Sequence, residues 1–294
     1  MGAINILGAI LRPTVGVGII LLCYSCGPRS NIVVASKNFT EQVVLGEIAA
    51  QQIERRLSVQ VDRKLNLGGT LLAHQALLSG QIDLYPEYTG TALTAVLKQP
   101  PDSDAKAAFE TVSRIYLDRF RLKWMNPLGF NDTFAMVVRS ADAMSLPAQT
   151  LSAAGRREWR LGVGYEFLTR ADGLVRLNET YRLKWRGDAK TMDLGLLYQA
   201  LEQGQIDMAA ANSTDGLLSS SRFAVLADDR HGFPPYQACF VVRLDALNKD
   251  PRLGPALAEL SGKLDDKTMR GLNRLVDQNH EPVAQVARDF LATM

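Results

Sequence analysis

The chain has 294 residues, of which 47% are hydrophobic, so it is long enough for two modest lobes or one large domain with a sizeable core. Its basic and acidic residues nearly cancel to a formal net charge of +2, which provides no strong field for holding a polyanion, so we expect no nucleic-acid partner. The chain has 3 cysteines and 3 histidines without metal-ligand spacing, so we expect neither a metal nor any other cofactor.

The N-terminal segment 1–26 has the features of an export signal. Arg12 interrupts its apolar sequence, and neither of the two short apolar runs is long enough to span a bilayer. The second run is followed by SCG at 25–27, which resembles a bacterial lipoprotein signal in which Cys26 becomes the acylated first residue. Plain secretion and an uncleaved anchor remain open. We therefore expect an exported protein, periplasmic or lipid-anchored to the outer face of a membrane.

Strand and helix patterns alternate after this segment. IVVAS at 32–36 reads as a buried strand, and the helical pattern that follows from residue 38 has Asn38 or Thr40 as its candidate N-cap. VQVDRKLNL at 59–67 suggests a second strand, which GGT and a short helix separate from the apolar strand QIDLY at 81–85. Strands that alternate with helices predict a parallel α/β sheet.

An internal repeat indicates that this unit occurs twice. QALLSGQIDLYPEYTGTAL at 75–93 recurs in outline as QALEQGQIDMAAANSTDGLL at 199–218, an offset of 124 residues (199 minus 75). Asp83 and Asp207 occupy equivalent places, which favours a structural role for both. Ligands of open parallel sheets bind beyond the carboxyl ends of the strands, so we expect the loop after each repeated strand to face one crevice.

Two extended segments connect the repeated units. GFNDTFAMVVR at 129–139 and PPYQACFVVR at 234–243 are rich in β-branched residues and read as paired crossover strands. They predict a first lobe of residues 32–132 plus 237–294 and a second lobe of residues 133–236. In the second segment, Cys239 is expected to be a small buried apolar residue.

Four separated motifs then occur in a distinctive order: SKNFTEQ at 36–42, NLGGT at 66–70, GQIDLYPEYTGTAL at 80–93 and FPPY at 233–236. In this the chain resembles the substrate-binding proteins of osmoprotectant ABC transporters, which carry glycine betaine, choline, carnitine or proline betaine. The resemblance implies a type II periplasmic-binding-protein fold, with two α/β lobes joined by two crossover strands. It also implies a quaternary-ammonium ligand, ABC permease and ATPase subunits as partners, and no enzymatic activity.

The resemblance further implies a binding site of aromatic faces for the ammonium head, with Lys, Thr and Arg for the ligand carboxylate. The residues that match those positions are Lys37, Tyr88, Thr91, Phe134, Arg170, Asn212 and Tyr236. A quaternary ammonium has no hydrogen to donate, so aromatic faces are what can hold it. By strand alternation we expect Tyr88 to face the crevice and Tyr85 to lie in the core.

This sequence departs from the family at two of the aromatic positions. Phe134 stands where the family usually has Tyr and keeps a ring face, whereas Asn212 replaces another Tyr and removes one. We therefore expect weaker trimethylammonium binding than in relatives with a full cage, or a different ligand such as ergothioneine, whose imidazole-thione suits an amide. A sensory binding protein is a further alternative. A hydrolase ranks last, because no nucleophile motif is present.

Overall fold

The computed structural model describes residues 1–2 and 31–294 of the chain. The candidate acylation site Cys26 and nearly all of the predicted signal segment 1–26 lie outside the described residues. Within residues 31–294, no helix combines the length and the apolar character needed to cross a bilayer.

The described chain alternates strands with helices. The strands are β1 (Ile32–Ala35), β2 (Val61–Lys64), β3 (Leu84–Tyr88), β4 (Leu122–Trp124), β5 (Phe134–Arg139), β6 (Glu158–Trp159), β7 (Leu161–Val163), β8 (Lys184–Trp185), β9 (Lys190–Thr191), β10 (Met208–Asn212), β11 (Phe223–Leu226) and β12 (Ala238–Arg243). The α-helices are α1 (Thr40–Leu57), α2 (Thr70–Leu78), α3 (Thr89–Thr91), α4 (Ala105–Phe120), α5 (Ser140–Met144), α6 (Leu151–Ala154), α7 (Tyr165–Thr169), α8 (Arg176–Tyr181), α9 (Leu197–Glu202), α10 (Leu244–Lys249), α11 (Leu253–Ala258), α12 (Asp266–Asp277) and α13 (Val283–Ala292).

Two five-stranded sheets organise these elements into two lobes. The sheet of the first lobe has the order β2-β1-β3-β12-β4, and the sheet of the second lobe has the order β11-β5-β10-β7-β9. Each sheet has a parallel part, β2-β1-β3 or β10-β7-β9, beside which a crossover strand, β12 or β5, runs antiparallel. The prediction of two α/β lobes joined by crossover strands is confirmed. The predicted lobe boundaries fall in the connecting segments 125–133 and 227–237 and stay predictions.

The first sheet is buried on both faces, because successive residues of a strand point to opposite sides. Phe240 and Val242 pack toward α1, α11, α12 and α13, whereas Cys239 and Val241 pack toward α2 and α4. Cys239 is completely buried, as predicted. Tyr85 is also completely buried and packs on the same side as Cys239, which confirms its place in the core.

The first helix corrects one prediction. Neither Asn38 nor Thr40 caps α1: the helix begins at Thr40, and the residue before it, Phe39, makes no side-chain capping bond. The Thr40 hydroxyl donates instead to Asp277 of α12, at 2.6 Å. A tertiary partner has replaced the local capping bond, which is information that the local sequence does not contain.

The repeat is visible as a repeated set of hydrogen bonds in the two lobes. Asp83 accepts from the backbone N–H of Val33 at 2.9 Å, and Asp207 accepts from that of Arg160 at 3.1 Å. Each aspartate also pairs with the arginine that ends a crossover strand, Asp83 with Arg243 and Asp207 with Arg139. These bonds confirm the structural role predicted for both aspartates.

Candidate functional site

The residues assigned to the ligand by resemblance lie at the crevice ends of the two sheets. Lys37 follows β1, Tyr88 ends β3 and Asn212 ends β10. The crossover strands run antiparallel to β3 and β10, so their first residues lie at the same ends. Phe134 begins β5, and Tyr236 comes just before β12. The topology therefore gathers side chains from both lobes at the carboxyl ends of parallel strands, where such sheets bind ligands.

The aromatic residues form two groups. The ring centroids of Phe134 and Tyr236 lie 5.6 Å apart with an interplanar angle of 69°, an edge-to-face contact that Phe233 and Phe167 extend. Tyr88 instead stacks on Phe39, with centroids 6.4 Å apart. The structure thus brings Phe134 and Tyr236 together and places Tyr88 in a separate pair within the same buried core.

Tyr236 depends on a glycine for its position. A Cβ atom on Gly90, in the YTGT motif, would lie 2.6 Å from Cδ1 of the Tyr236 ring and 2.8 Å from the carbonyl oxygen of Pro235. No side chain fits in that space, since backbone is one of the obstacles. Gly90 therefore allows the tyrosine ring to lie directly against the start of α3.

Each of the three aromatic residues predicted to contact the ligand has a cation of this chain over its ring. Lys37 Nζ lies 4.7 Å from the centroid of Tyr88. The Arg170 guanidinium carbon lies 5.1 Å from the centroid of Phe134 and 5.5 Å from that of Tyr236. These distances are within cation–π range, so the rings are oriented to stabilise positive charge.

Asn212 lies beside this aromatic group. It is the cross-strand partner of Phe134 in the antiparallel pair of β10 and β5, so their side chains are neighbours. Its backbone N–H donates to Asp215, whereas its side-chain amide makes no hydrogen bond to any residue of the described chain. The amide is therefore available to a ligand, with both donors and an acceptor.

Lys37 is one of the cations assigned to the ligand carboxylate, and it is buried in an ion pair. Its Nζ lies 2.7 Å from Oε1 of Glu87, and the exposed fractions of the two side chains are 4% and 0%. Glu87 also accepts from the hydroxyl of Tyr85 and the backbone N–H of Tyr88. The second acceptor of the lysine is the Thr70 hydroxyl, at 3.4 Å. Lys37 is thus a satisfied buried charge rather than a solvated surface lysine.

Arg170 is the other assigned cation, and it also has a carboxylate partner. Its guanidinium donates two hydrogen bonds to Asp172, from Nε to Oδ1 at 2.9 Å and from Nη2 to Oδ2 at 2.5 Å. Nη1 donates to the Thr91 hydroxyl at 3.1 Å, which brings two of the predicted carboxylate-binding residues together. Burial acts to raise the pKa of Asp172, but the bonds and charge of Arg170 outweigh it and hold that pKa below its usual value.

Two carboxylates of the second lobe bind groups of the first lobe and of the connecting segment before β12. Asp172 accepts from the hydroxyls of Thr94 and Tyr236, each at 2.7 Å. Glu166 accepts from the backbone N–H of Thr70 at 2.7 Å, at the N-terminus of α2. Burial acts to raise the pKa of Glu166, but nearby positive charge, chiefly that of Lys37, and the bonds from Thr70 lower it overall. The lobes are therefore in contact through charge-assisted hydrogen bonds.

Sequence reasoning missed the carboxylates of this site. Glu41 accepts from the Tyr88 hydroxyl at 2.6 Å, and Asp172 is the partner of Arg170. Asp132 is 7% exposed and bonds to Thr214. Glu41 stands in the motif SKNFTEQ, Asp132 in the crossover segment that contains Phe134, and Asp172 two residues after Arg170. Acidic residues close to positions already assigned to the ligand were therefore the available signal.

Charge, aromatic faces and hydrogen-bonding groups all converge here, which suits the binding of a small polar cation. Within residues 31–294, no group of three or more His, Cys, Asp or Glu side chains is arranged to hold a metal ion. The ligand roles of the seven predicted residues stay predictions. What the geometry provides is a largely buried junction to which both lobes contribute side chains.

Known proteins are similar to this chain in sequence and in fold. The chain is 35% identical over 263 residues to the ergothioneine transport permease/ergothioneine binding protein of Helicobacter pylori, covering 88% of this chain and 47% of that protein, so it spans about half of that relative's length. It is 35% identical over 271 residues to the glycine-betaine-binding protein of Pseudomonas aeruginosa, covering 88% and 86%. A crystal structure described as a glycine betaine/carnitine/choline ABC transporter matches with a TM-score of 0.75 and 28% identity, covering 90% of this chain and 98% of that one.

A family model confirms the resemblance over nearly the whole described chain. Residues 30–293 match the substrate-binding domain of ABC-type glycine betaine transport systems. The fold of the described chain is similar to that of the matched crystal structure over 90% of this chain. The chain therefore belongs to the family of substrate-binding domains of ABC-type glycine betaine transport systems.

Proposed function

We propose that this chain captures a quaternary-ammonium solute, such as glycine betaine or choline, between its two lobes and delivers it to an ABC permease. The observation that carries the proposal is that the rings of Tyr88, Phe134 and Tyr236 are all oriented toward cations. A ring that stabilises a guanidinium or an ammonium also stabilises a trimethylammonium group, since the attraction is to the negative face of the ring.

The carboxylate end of the ligand has a binding place beside this aromatic group. Thr91 and Arg170 are joined by a hydrogen bond of 3.1 Å, and Glu166 Oε2 lies 3.5 Å from the same guanidinium. The Glu166 side chain is 38% exposed, which makes it the accessible carboxylate of this network. We propose that a ligand carboxylate contacts Thr91 and Arg170 and shares or displaces the contact with Glu166.

Ergothioneine is a second candidate ligand, favoured by one residue. The Asn212 amide lies beside the Phe134 ring without a hydrogen bond to any described residue, and it offers both a donor and an acceptor. Ergothioneine combines a trimethylammonium group with an imidazole-thione that can pair with an amide. A relative with 35% identity carries ergothioneine in its name.

The proposed mechanism is closure without covalent chemistry. A ligand that contacts both lobes favours the state in which the lobes meet, and a permease can then distinguish a loaded protein from an empty one. Members of the family act outside the cytoplasm. We propose that this chain is exported, either free in the periplasm or anchored through Cys26, and that permease and ATPase subunits complete the transporter.

Calorimetric titration of the purified chain with glycine betaine, choline, carnitine, proline betaine and ergothioneine tests the proposal. Saturable binding of at least one of them is the expected result. The comparison of choline with glycine betaine measures what a ligand carboxylate contributes, and ergothioneine tests the second candidate. Absence of binding by all five would contradict the quaternary-ammonium assignment while leaving the family membership intact.

A further inference from the structure

A buried polar unit joins the two lobes beside Tyr88. Glu41 belongs to α1 of the first lobe, Thr214 follows β10 of the second lobe, and Asp132 lies in the connecting segment between β4 and β5. Their exposed fractions are 3%, 1% and 7%. The Thr214 hydroxyl oxygen is within hydrogen-bond distance of both carboxyl groups, Oε2 of Glu41 and Oδ1 of Asp132.

The number of hydrogens in this unit favours a protonated carboxyl group. A threonine hydroxyl has one hydrogen and can donate it to one acceptor, whereas an ionised carboxylate can only accept. With both carboxyl groups ionised, one of the two contacts would have no hydrogen between its oxygen atoms. The two oxygens would then repel each other in a buried environment. If one carboxyl group carries a proton, that group donates to Thr214, and Thr214 donates to the other.

The surrounding bonds indicate which group holds the proton. Glu41 accepts from the Tyr88 hydroxyl at 2.6 Å and from the Asn273 amide at 3.1 Å, so donors already surround it. Asp132 has Thr214 as its side-chain partner, together with a backbone N–H at 3.4 Å. Burial raises the pKa of Asp132 well above its ordinary value, and the charge of Glu41 raises it further. Asp132 is therefore the proton carrier.

The ionisable groups that face this unit come from every neighbouring element. They are Tyr88 of β3, Tyr198 of α9, Asp215 after β10, Tyr236 before β12 and Arg270 of α12, and the charge of Asp277 of α12 acts on Asp215. Arg270 donates to the carbonyl oxygen of Ser213 and forms no ion pair within the described chain. Lys37, near Tyr88, is paired with Glu87. The local balance is acidic, which favours retention of the proton.

We infer that Asp132, Thr214 and Glu41 share one proton in a hydrogen-bonded chain that ties the two lobes together and positions the ring of Tyr88, so that ligand capture is linked to this proton. The inference rests on the proposed function, because it treats Tyr88 as a ligand residue. Glu41 and Asp132 are positioning residues that act through Tyr88 and Thr214. When the proton leaves to solvent, two buried negative charges face one hydroxyl, and the contact between the lobes weakens.

The direction of the pH effect follows from the raised pKa. An acid whose pKa is higher in the folded protein stabilises the folded state at low pH, and that contribution is lost as the pH rises toward the folded value. The same linkage applies to open and closed lobes: the Thr214–Glu41 contact forms when the lobes meet, so the proton is held more tightly in the closed state, and ligand affinity is expected to fall as the pH rises. A carboxylate whose pKa is lowered on folding would give the opposite trend.

The first experiment measures the affinity for glycine betaine at about pH 7 and about pH 9 in the unaltered chain. If the pKa of the shared proton differs by one unit between the open and the closed state, the affinity changes by up to about tenfold. Several-fold weaker binding at the higher pH is expected. Asp132→Asn replaces the O–H donor by a permanent N–H donor, so its affinity is expected to be nearly independent of pH. Asp118→Asn, at an exposed position of α4, is the matched control and keeps the pH dependence. The same pH dependence in Asp132→Asn and in the unaltered chain would overturn the inference.

A second experiment needs no ligand, so its outcome is separate from the fate of the proposed function. Infrared spectroscopy of the full chain near neutral pH is expected to show the carbonyl stretch of a protonated carboxyl group. The comparison is made in an Asp215→Asn background, because burial also raises the pKa of Asp215, to about 7, and that group would contribute a band of its own. In that background Asp132→Asn is expected to remove the band that remains. An unaltered chain without the band would refute the shared proton, even if Asp132→Asn fails to fold.

Discussion

At the scale of single residues, Tyr236 combines two functions in one side chain. Its ring packs edge to face on Phe134 and lies under the Arg170 guanidinium, while its hydroxyl donates to Asp172 of the second lobe. The ring is suited to a ligand cation, and the hydroxyl links the connecting segment to the second lobe. Substitutions can separate these two functions.

Tyr236→Ala is expected to weaken quaternary-ammonium binding by about thirtyfold, because a desolvated cation loses about 2 kcal/mol with one ring face. Tyr236→Phe keeps the ring and is expected to lose much less. Calorimetry with the same ligand measures both. Tyr116→Phe, a buried tyrosine on the other side of the first sheet, is the control and leaves the affinity unchanged. Equal losses for Phe and Ala would show that the hydroxyl, not the ring, supports binding.

Asn212 gives a prediction of the opposite sign. Asn212→Tyr adds a ring beside Phe134, its cross-strand neighbour, and is expected to strengthen trimethylammonium binding by up to about tenfold. If the Asn212 amide recognises ergothioneine, the same variant weakens that ligand. Paired titrations with glycine betaine and ergothioneine measure the two effects. Unchanged affinity for both ligands would place Asn212 outside the site.

At the scale of elements, the buried pair of Lys37 and Glu87 joins the ends of two neighbouring strands. Lys37 follows β1 and Glu87 lies in β3, so the 2.7 Å contact holds the crevice ends of these strands in register. A buried pair of this kind is costly to break, because the remaining charge has no partner. The arrangement makes the rim of the crevice part of the stable structure.

Lys37→Met is expected to lower the free energy of unfolding by about 3–5 kcal/mol, since it leaves Glu87 ionised and buried. The double variant Lys37→Met/Glu87→Gln removes the unpaired charge and is expected to recover most of that loss. Urea denaturation measures both.

The control is the exposed ion pair of Lys106 and Glu110, whose side chains are 83% and 65% exposed. Lys106→Met is expected to cost no more than about 0.5 kcal/mol. A small effect of Lys37→Met, similar to that of the control, would contradict the prediction and show that the buried pair contributes little to stability.

At the scale of the whole molecule, the hydrogen bonds between the lobes determine how much a ligand must contribute to closure. The Thr94 hydroxyl of the first lobe lies 2.7 Å from Oδ2 of Asp172 in the second lobe and 2.8 Å from the carbonyl oxygen of Gly90, and the charged carboxylate is the stronger acceptor. A bond to a charged group contributes about 1.5–3 kcal/mol. Removing this bond shifts the equilibrium toward separated lobes. The apparent affinity then falls in proportion to the fraction of molecules whose lobes can close over the ligand.

Thr94→Val is therefore expected to weaken the binding of any crevice ligand by about tenfold or more, whatever its head group. Calorimetry measures the affinity, and small-angle scattering of the unliganded protein measures the larger average separation of the lobes. Thr111→Val on α4 is a control of the same size. Unchanged scattering together with reduced affinity would show a direct ligand contact rather than an effect on closure.

The architecture could be predicted from the sequence because it depends on local patterns of strands, helices and repeats. The repeat around Asp83 and Asp207, and the two crossover segments, contain the information needed for two sheets. The carboxylate partners of the site were not predicted, because Glu87 and Asp172 pair with Lys37 and Arg170 only through tertiary contacts. Most lysines are exposed, so the sequence alone favours a surface position for Lys37. The fold instead buries it in an ion pair with Glu87.

The pairing of Asp83 with Arg243 and of Asp207 with Arg139 has a consequence for how the chain folds. Each aspartate belongs to one repeat, yet the arginine that it binds ends the strand contributed by the other repeat. The two halves of the sequence thus exchange their last strands, which is the connectivity of a strand-swapped dimer joined into a single polypeptide. Neither half can complete its sheet alone, so fragments divided between the repeats would have to fold together.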